Sequence, residues 1–187
     1  MALFRFILFA TFSMMVACST PEDLYLLPAP AKTNASIKVR PKTVEVRDVS
    51  LPSYAEEADI LVRHTDGALR PIDGALWAND PQKGITQAIA RRLDAGTTAT
   101  VTPEPWPLFD GPDRSVEITI ERMVATAGKT LEIEGQFAIL SRTGEAREFV
   151  RRFEVVEFLP DGSANAVAGA MGLGLGTLSD QIAKALK

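Results

Sequence analysis

Alternating apolar and polar residues mark three consecutive segments in the C-terminal half of the chain. These segments are 116–120, 131–139 and 149–158. Gly128 and Gly144 lie between them, where hairpin turns favour glycine. When apolar and polar residues alternate with a period of two, one side of a strand faces a core and the other side faces solvent. The pattern predicts a three-stranded antiparallel meander, with Gly135 as a candidate bulge.

Shorter candidate strands precede the meander. Segments 37–40 and 44–47 have the same period, 60–63 is a short apolar strand followed by 68–70, and 97–101 is a further candidate strand. Pro41 predicts an edge strand or a bulge because proline donates no hydrogen bond to a neighbouring strand. Asp66-Gly67 predicts a hairpin turn. Tyr25-Leu26-Leu27 is an apolar island that could pair as an edge strand.

A period of three to four residues predicts two helices. In the first, Ile85, Ile89 and Leu93 form one stripe, and Asp80 followed by Pro81 is a typical N-cap sequence. The second spans 164–186 and contains four glycines, each costing on the order of 1 kcal/mol relative to alanine. Close packing on the sheet would offset that cost.

Together these elements predict an α+β fold. We expect a single domain with a mostly antiparallel mixed sheet and two helices packed on one face. A length of 187 residues fits one domain, and an apolar content of 46% provides a sizeable core. The second helix is not expected to cross a membrane, because Asp180 and Lys184 interrupt its apolar stretch.

The N-terminus has the organisation of an export signal. Arg5 precedes an apolar stretch over residues 6–17, which is too short to span a bilayer but suits a signal peptide. The stretch ends in Val16-Ala17-Cys18, which resembles the lipobox of bacterial lipoproteins. This resemblance implies cleavage before Cys18 and a covalent lipid on its thiol. An ordinary secreted protein with an incidental cysteine is the alternative.

The predicted organisation therefore has three parts. Residues 1–17 form the signal peptide, 18–36 the lipidated N-terminus and a proline-rich tether, and 37–187 the domain. Residue 19 is Ser rather than the Asp that retains enterobacterial lipoproteins in the inner membrane. Ser19 thus resembles a sorting signal for the outer membrane, and we expect the domain on its periplasmic face.

Candidate chemistry is sparse. A net charge of −4 gives no basis for nucleic-acid binding, and one histidine and one cysteine leave no metal or haem site. His64 is expected at a strand end on the surface. The pairs Glu117/Glu121 and Glu132/Glu134 are expected on the solvated face of the meander. We predict no catalytic residues, no metal and no cofactor other than the covalent lipid.

Ordered landmarks indicate a family. They are Tyr25-Leu26-Leu27-Pro28, Val44-Glu45-Val46, Leu51-Pro52-Ser53-Tyr54, Ile60-Leu61-Val62-Arg63, Trp77-Ala78, Pro105-Trp106, Asp113-Arg114, Leu178-Ser179 and Ile182-Ala183. In this order the chain resembles the ABC-type transport auxiliary lipoprotein family over most of residues 24–186. The resemblance implies a layered domain with a mixed sheet and a non-enzymatic role in envelope lipid transport.

The resemblance also implies partners. The lipoprotein would dock on a periplasmic MCE-domain protein that works with an ABC permease and ATPase, and it could form a homo-oligomer. One alternative is a general envelope-assembly lipoprotein that supports insertion of outer-membrane proteins or lipopolysaccharide. A secreted hydrolase is another, although it lacks a visible site.

One loop is a candidate for partner contact. Residues 103–112 are rich in proline and carry Trp106 and Phe109. Loops on rigid scaffolds often carry binding residues, so both aromatic side chains are candidate partner contacts. The alternative is that they plug the end of the sheet.

Overall fold

The computed structural model describes residues 22–28, 36–142, 144 and 147–187. Eight strands form one sheet: β1 (Asp23–Tyr25), β2 (Thr43–Val46), β3 (Asp59–Arg63), β4 (Leu69–Trp77), β5 (Thr100–Pro103), β6 (Arg114–Thr126), β7 (Thr130–Ser141) and β8 (Phe149–Phe158). The helices are α1 (Pro81–Gly96) and α2 (Ala164–Ala185), and a 3-10 turn spans Ser53–Ala55. This is the predicted α+β fold in a single domain.

The sheet is forked at β6. One side of β6 pairs with β7 along its whole length, and β8 follows β7; both pairings are antiparallel. The other side of β6 is shared by two strands, both parallel to it: β2 along Arg114–Val116 and β3 along Ala125–Thr126. Strand β5 pairs with β2, while β4 and then β1 continue from β3. The sheet is therefore mixed, and its long ladders are antiparallel.

The predicted meander is confirmed, and its bulge lies on a different strand. The register shifts between Ile120 and Arg122 of β6, opposite Gly135 of β7. A Cβ on Gly135 would lie 2.1 Å from the Thr119 carbonyl oxygen. Glycine at this position leaves room for the bulged strand β6 to approach β7. Gly135 therefore lies opposite the bulge and is not itself the bulged residue.

Both helices pack on the same face of the sheet and against each other. Helix α1 has the predicted N-cap, since an Asp80 carboxylate oxygen accepts a hydrogen bond from the Lys83 N–H at 2.8 Å. Ile85, Ile89 and Leu93 are buried in the core. In α2, the side of the helix that carries Gly174 lies against Ile133, so close packing accompanies that glycine as expected. Of the described helices, none is long and apolar enough to cross a membrane.

The segments that precede β2 and β5 were predicted as strands, but fewer of their residues are in strands than expected. Ile37 makes only an isolated bridge to Thr97, and the Ile37 N–H donates to the Gly96 carbonyl at 2.8 Å. Strand β2 begins after Pro41, at Thr43. The predicted strand 37–40 is thus reduced to a bridge, because its hydrogen bonds go to the end of α1 rather than to a neighbouring strand.

Candidate functional site

The two residues predicted for lipidation and sorting, Cys18 and Ser19, lie outside the described residues. The first described strand, β1, nevertheless shows where the chain enters the domain. It runs parallel to β4, with Asp23 opposite Ala75 and Tyr25 opposite Trp77. Its N-terminal end points toward the edge of the sheet that carries the β3–β4 and β6–β7 turns. We call this edge the anchor end.

The residues after β1 are packed into the helical layer. The Ala78 N–H donates to the Tyr25 carbonyl at 2.8 Å, which continues the link to β4. Leu27 lies against Gly84 of α1, where a Cβ would come within 2.7 Å of its Cδ1. Pro28 lies against Gly172 of α2, where a Cβ would be 3.1 Å away. These contacts fix the start of the domain to both helices.

The predicted contact loop lies at the opposite end of the sheet. It leaves β5 at Pro103 and returns to the first residue of β6, Arg114. Asp113 fixes the return, because its carboxylate accepts hydrogen bonds from the Lys42 and Thr43 N–H groups. Strand β6 extends about 25 Å from Arg114 to the level of β1, at roughly 3.3 Å per residue. We call this opposite edge the distal end.

Trp106 holds the loop together. Its indole N–H donates to the Asp110 carbonyl at 2.6 Å, and its backbone N–H donates to a Glu45 carboxylate oxygen at 3.0 Å. Glu45 is a buried carboxylate on β2, and its other oxygen accepts from the Ser115 hydroxyl. Trp106 is half-buried. Its side chain therefore shapes the loop and keeps only part of its surface for a partner.

Phe109 and its neighbour Leu108 are exposed at the tip of this loop. Phe109 is fully exposed, and Leu108 keeps 61% of its surface in solvent. Phe109 therefore does not plug the end of the sheet. Single exposed apolar side chains are common. Two adjacent ones on a loop fixed at both ends form a compact apolar surface that a partner can contact. Phe109 was predicted as a contact residue and Leu108 was not, although both lie in the same proline-rich segment.

The open face of the meander is occupied by ion pairs. Arg122 bridges Glu132 and Glu134, Arg47 pairs with Glu117, and Arg152 pairs with Glu121. The Arg122 guanidinium, with help from the Thr130 hydroxyl, holds the pKa of the Glu132 carboxyl below its usual range. A general acid needs a raised pKa, so this arrangement favours a structural role for these carboxylates.

The described residues offer little for bound metal or an internal ligand. Within them, no group of three His, Cys, Asp or Glu side chains could hold a metal ion. His64 is exposed beside the β3–β4 turn, as expected. A cavity of about 40 Å³ lies between α2 and the sheet, beside Tyr54 and Met171. It has room for a few water molecules and not for an acyl chain.

Comparison with known families decides the assignment. The family model for the ABC-type transport auxiliary lipoprotein component matches residues 25–183. The chain belongs to this family. The match begins at the last residue of β1 and ends two residues before the end of α2, so it includes β2 to β8, all of α1 and most of α2. Membership agrees with the resemblance inferred from the ordered landmarks, and it associates the auxiliary lipoprotein with ABC-type transport.

Solved structures share the fold of this auxiliary lipoprotein. A crystal structure of an uncharacterized protein is similar with a TM-score of 0.69 and 15% identity, covering 89% of this chain and 99% of that one. The protein XCC0632 from Xanthomonas campestris is similar with a TM-score of 0.65 and 19% identity, covering 86% and 92%. A comparison with curated protein sequences gives no match. At these identities the structures support the fold alone.

Proposed function

We propose that this chain is a lipid-anchored, non-enzymatic subunit that docks an ABC-type transport system to the outer membrane. The lipid on Cys18 would hold the anchor end at the periplasmic face of that membrane, in line with Ser19. The exposed tip formed by Leu108 and Phe109 would bind a periplasmic MCE-domain protein, which in turn works with the permease and ATPase. Self-association of the lipoprotein stays a prediction.

The observation that carries this proposal is the separation of the two ends. Strand β1 enters from the anchor end, while the loop that carries the apolar tip returns to the sheet at Arg114, about 25 Å away along β6. Three residues separate Cys18 from Glu22, and the four fully extended residue steps between them span at most about 14 Å. The lipid would therefore keep the domain close to the bilayer, with Phe109 directed toward the periplasm.

Site-specific photocrosslinking in the source cells tests the docking surface. A photoreactive benzoyl-phenylalanine replaces Phe109 in the full-length protein, and in a matched control it replaces Phe158. Phe158 is also an exposed phenylalanine, but it ends β8 at the anchor end. We expect position 109 to crosslink to an MCE-domain protein, identified by mass spectrometry, and position 158 to give no such product.

Two results would contradict the docking proposal. Equal crosslinking of the MCE-domain protein from both positions would show that the tip is not the contact. A product between position 109 and an outer-membrane assembly factor would favour the general envelope-assembly function instead. Phe109→Ala provides a second readout, because loss of this exposed ring should reduce co-purification of the partner while leaving the fold intact.

A further inference from the structure

A cationic cleft lies at the distal end, on the helical side of the sheet. It opens between the start of β8, the last turn of α2 and the residues that precede β2, with a volume of about 730 Å³. Six of its lining residues are cationic: Arg40, Arg114, Arg147, Arg151, Lys184 and Lys187. This volume is within the range of small-molecule sites.

The concentration of positive charge is unusual for this chain. Acidic residues outnumber Lys and Arg by 24 to 20 overall, yet the described lining of the cleft contains no Asp or Glu. Arg40, Arg147, Arg151 and Lys184 form no ion pair with any residue that the structure describes. The cations come from four segments that are distant in sequence, so the fold brings them together.

Carboxylates at the same end are engaged elsewhere. Asp113 accepts from the N–H groups of Lys42 and Thr43, and Glu148 accepts from the Ser141 N–H at 2.8 Å. Within the described lining, the charged side chains of the cleft are therefore all of one sign. A concave surface of one sign concentrates the electrostatic potential and attracts an ion of the opposite sign. Guanidinium groups match the paired oxygens of phosphate especially well.

The floor of the cleft adds an apolar component. Phe149 is half-buried and lines the cleft above the buried side chains of Ile139 and Leu186, and the Arg151 guanidinium lies 5.6 Å from the centre of the Phe149 ring. Val150, at the rim, keeps 62% of its surface exposed. A free inorganic anion would use the cations and leave this apolar surface wet. An anion that carries hydrocarbon would cover both.

We propose that the cleft binds the phosphate-bearing headgroup of a single phospholipid. The cations would bind the phosphate oxygens, and the first carbons of the acyl chains would cover the exposed parts of Phe149 and Val150. The cleft is at the distal end, away from the bilayer that would hold Cys18. Its ligand therefore comes from the periplasmic side rather than from the anchoring membrane. This inference does not depend on the identity of the docking partner.

Calorimetric titration tests the proposal on the mature lipoprotein in an uncharged detergent at low salt. The probes are dihexanoyl phosphatidylglycerol, inorganic phosphate and a tetraglutamate peptide. We expect the short-chain lipid to bind most tightly. The double variant Arg151→Ala/Lys184→Ala should bind the short-chain lipid at least about tenfold more weakly, because each substitution removes a charge-assisted contact. Both side chains are exposed, so the variant should stay folded.

The control removes the same charge from elsewhere on the surface. Arg91→Ala with Lys129→Ala changes two exposed cations on α1 and in the β6–β7 turn, and it should bind the lipid like the wild type. Equal weakening in both double variants would overturn the site. Phosphate binding as tight as lipid binding would overturn the lipid assignment, and tighter binding of tetraglutamate would favour an acidic protein segment. None of these results depends on crosslinking from Phe109, so the two proposals fail separately.

Discussion

At the scale of single residues, two glycines that look alike in the sequence have opposite structural roles. Gly135 lies in β7 facing the bulge, and a Cβ there would be 2.1 Å from a backbone oxygen and 3.0 Å from the Ile120 Cα. Backbone atoms cannot yield as a flexible side chain can. Gly169 lies on the exposed side of α2, with no atom within 4 Å of the position a Cβ would take.

Alanine substitution should therefore shift stability in opposite directions at these positions. Gly135→Ala should lower the free energy of unfolding by about 3 kcal/mol through overpacking. Gly169→Ala should raise it by about 1 kcal/mol, because alanine is the better helix former. Chemical denaturation monitored by circular dichroism measures both. A neutral Gly135→Ala would show that the bulge relaxes without cost.

Single residues also show why the cationic cleft was not predicted from the sequence. Its cations occur singly, or as the pair Arg151-Arg152, which is typical of a solvated strand. Arg151 faces the cleft, whereas Arg152 pairs with Glu121 on the other side of the sheet. Only the tertiary fold brings Arg40 and Lys184 to the same place, so no local pattern could indicate it.

At the scale of secondary structure elements, periodicity predicted the meander and both helices because each pattern is local. The fork in the sheet was not predicted. It depends on β2 and β3 sharing one side of β6, and both pairings are parallel and between residues far apart in sequence. Parallel partners are not joined by a short turn, so neither spacing nor turn residues identify them. The order of the strands therefore required the structure.

The long β6–β7 ladder carries a pH-sensitive ion-pair network. Arg122 and Thr130 stabilise the charged form of Glu132, so the pKa of this carboxyl is lower in the folded state than its ordinary value of 4.5. A lowered pKa contributes stability above the unfolded-state value, and the contribution is lost as the pH falls through the folded-state value. The network should thus stabilise the fold at neutral pH and weaken in acid.

Glu132→Gln tests this dependence. The variant should be less stable than the wild type at pH 7, and the difference should shrink as the pH falls below about 4.5 and through the lowered pKa of the wild-type carboxyl. Urea denaturation at a series of pH values provides the measurement. A constant difference across the series would rule out titration of Glu132 as the cause.

At the scale of the whole molecule, the anchor end and the distal end define an axis. The N-terminal end of β1 points to one end, where the proposed lipid anchor would lie, and the other end presents the apolar tip and the cationic cleft. The sequence predicted the lipid site and the Trp106–Phe109 loop, but it did not predict that the chain enters the domain at the end opposite the loop. That arrangement follows from the direction of β1, which is set by its parallel pairing with β4.

Removal of the lipid should release the protein from the membrane. Cys18→Ser, exported with a leader cut by the general signal peptidase, should appear in the soluble periplasmic fraction, because the mature chain would then carry no acyl group. The wild type should sediment with outer membranes in a density gradient. Ser19→Asp should move the lipoprotein to inner membranes in an enterobacterial host. Continued sedimentation of the Cys18→Ser protein would contradict lipid anchoring.

The pairing of β1 with β4 also determines how the domain would carry mechanical load. Tension between the lipid and a partner bound at Phe109 would act along the strands, across the direction of their hydrogen bonds. The β1–β4 bonds would then bear the load together, in shear, rather than break one after another. Leu27 and Pro28, held against Gly84 and Gly172, would resist withdrawal of the strand. A strand of three residues could thus act as the force-bearing joint between a membrane and a transport machine.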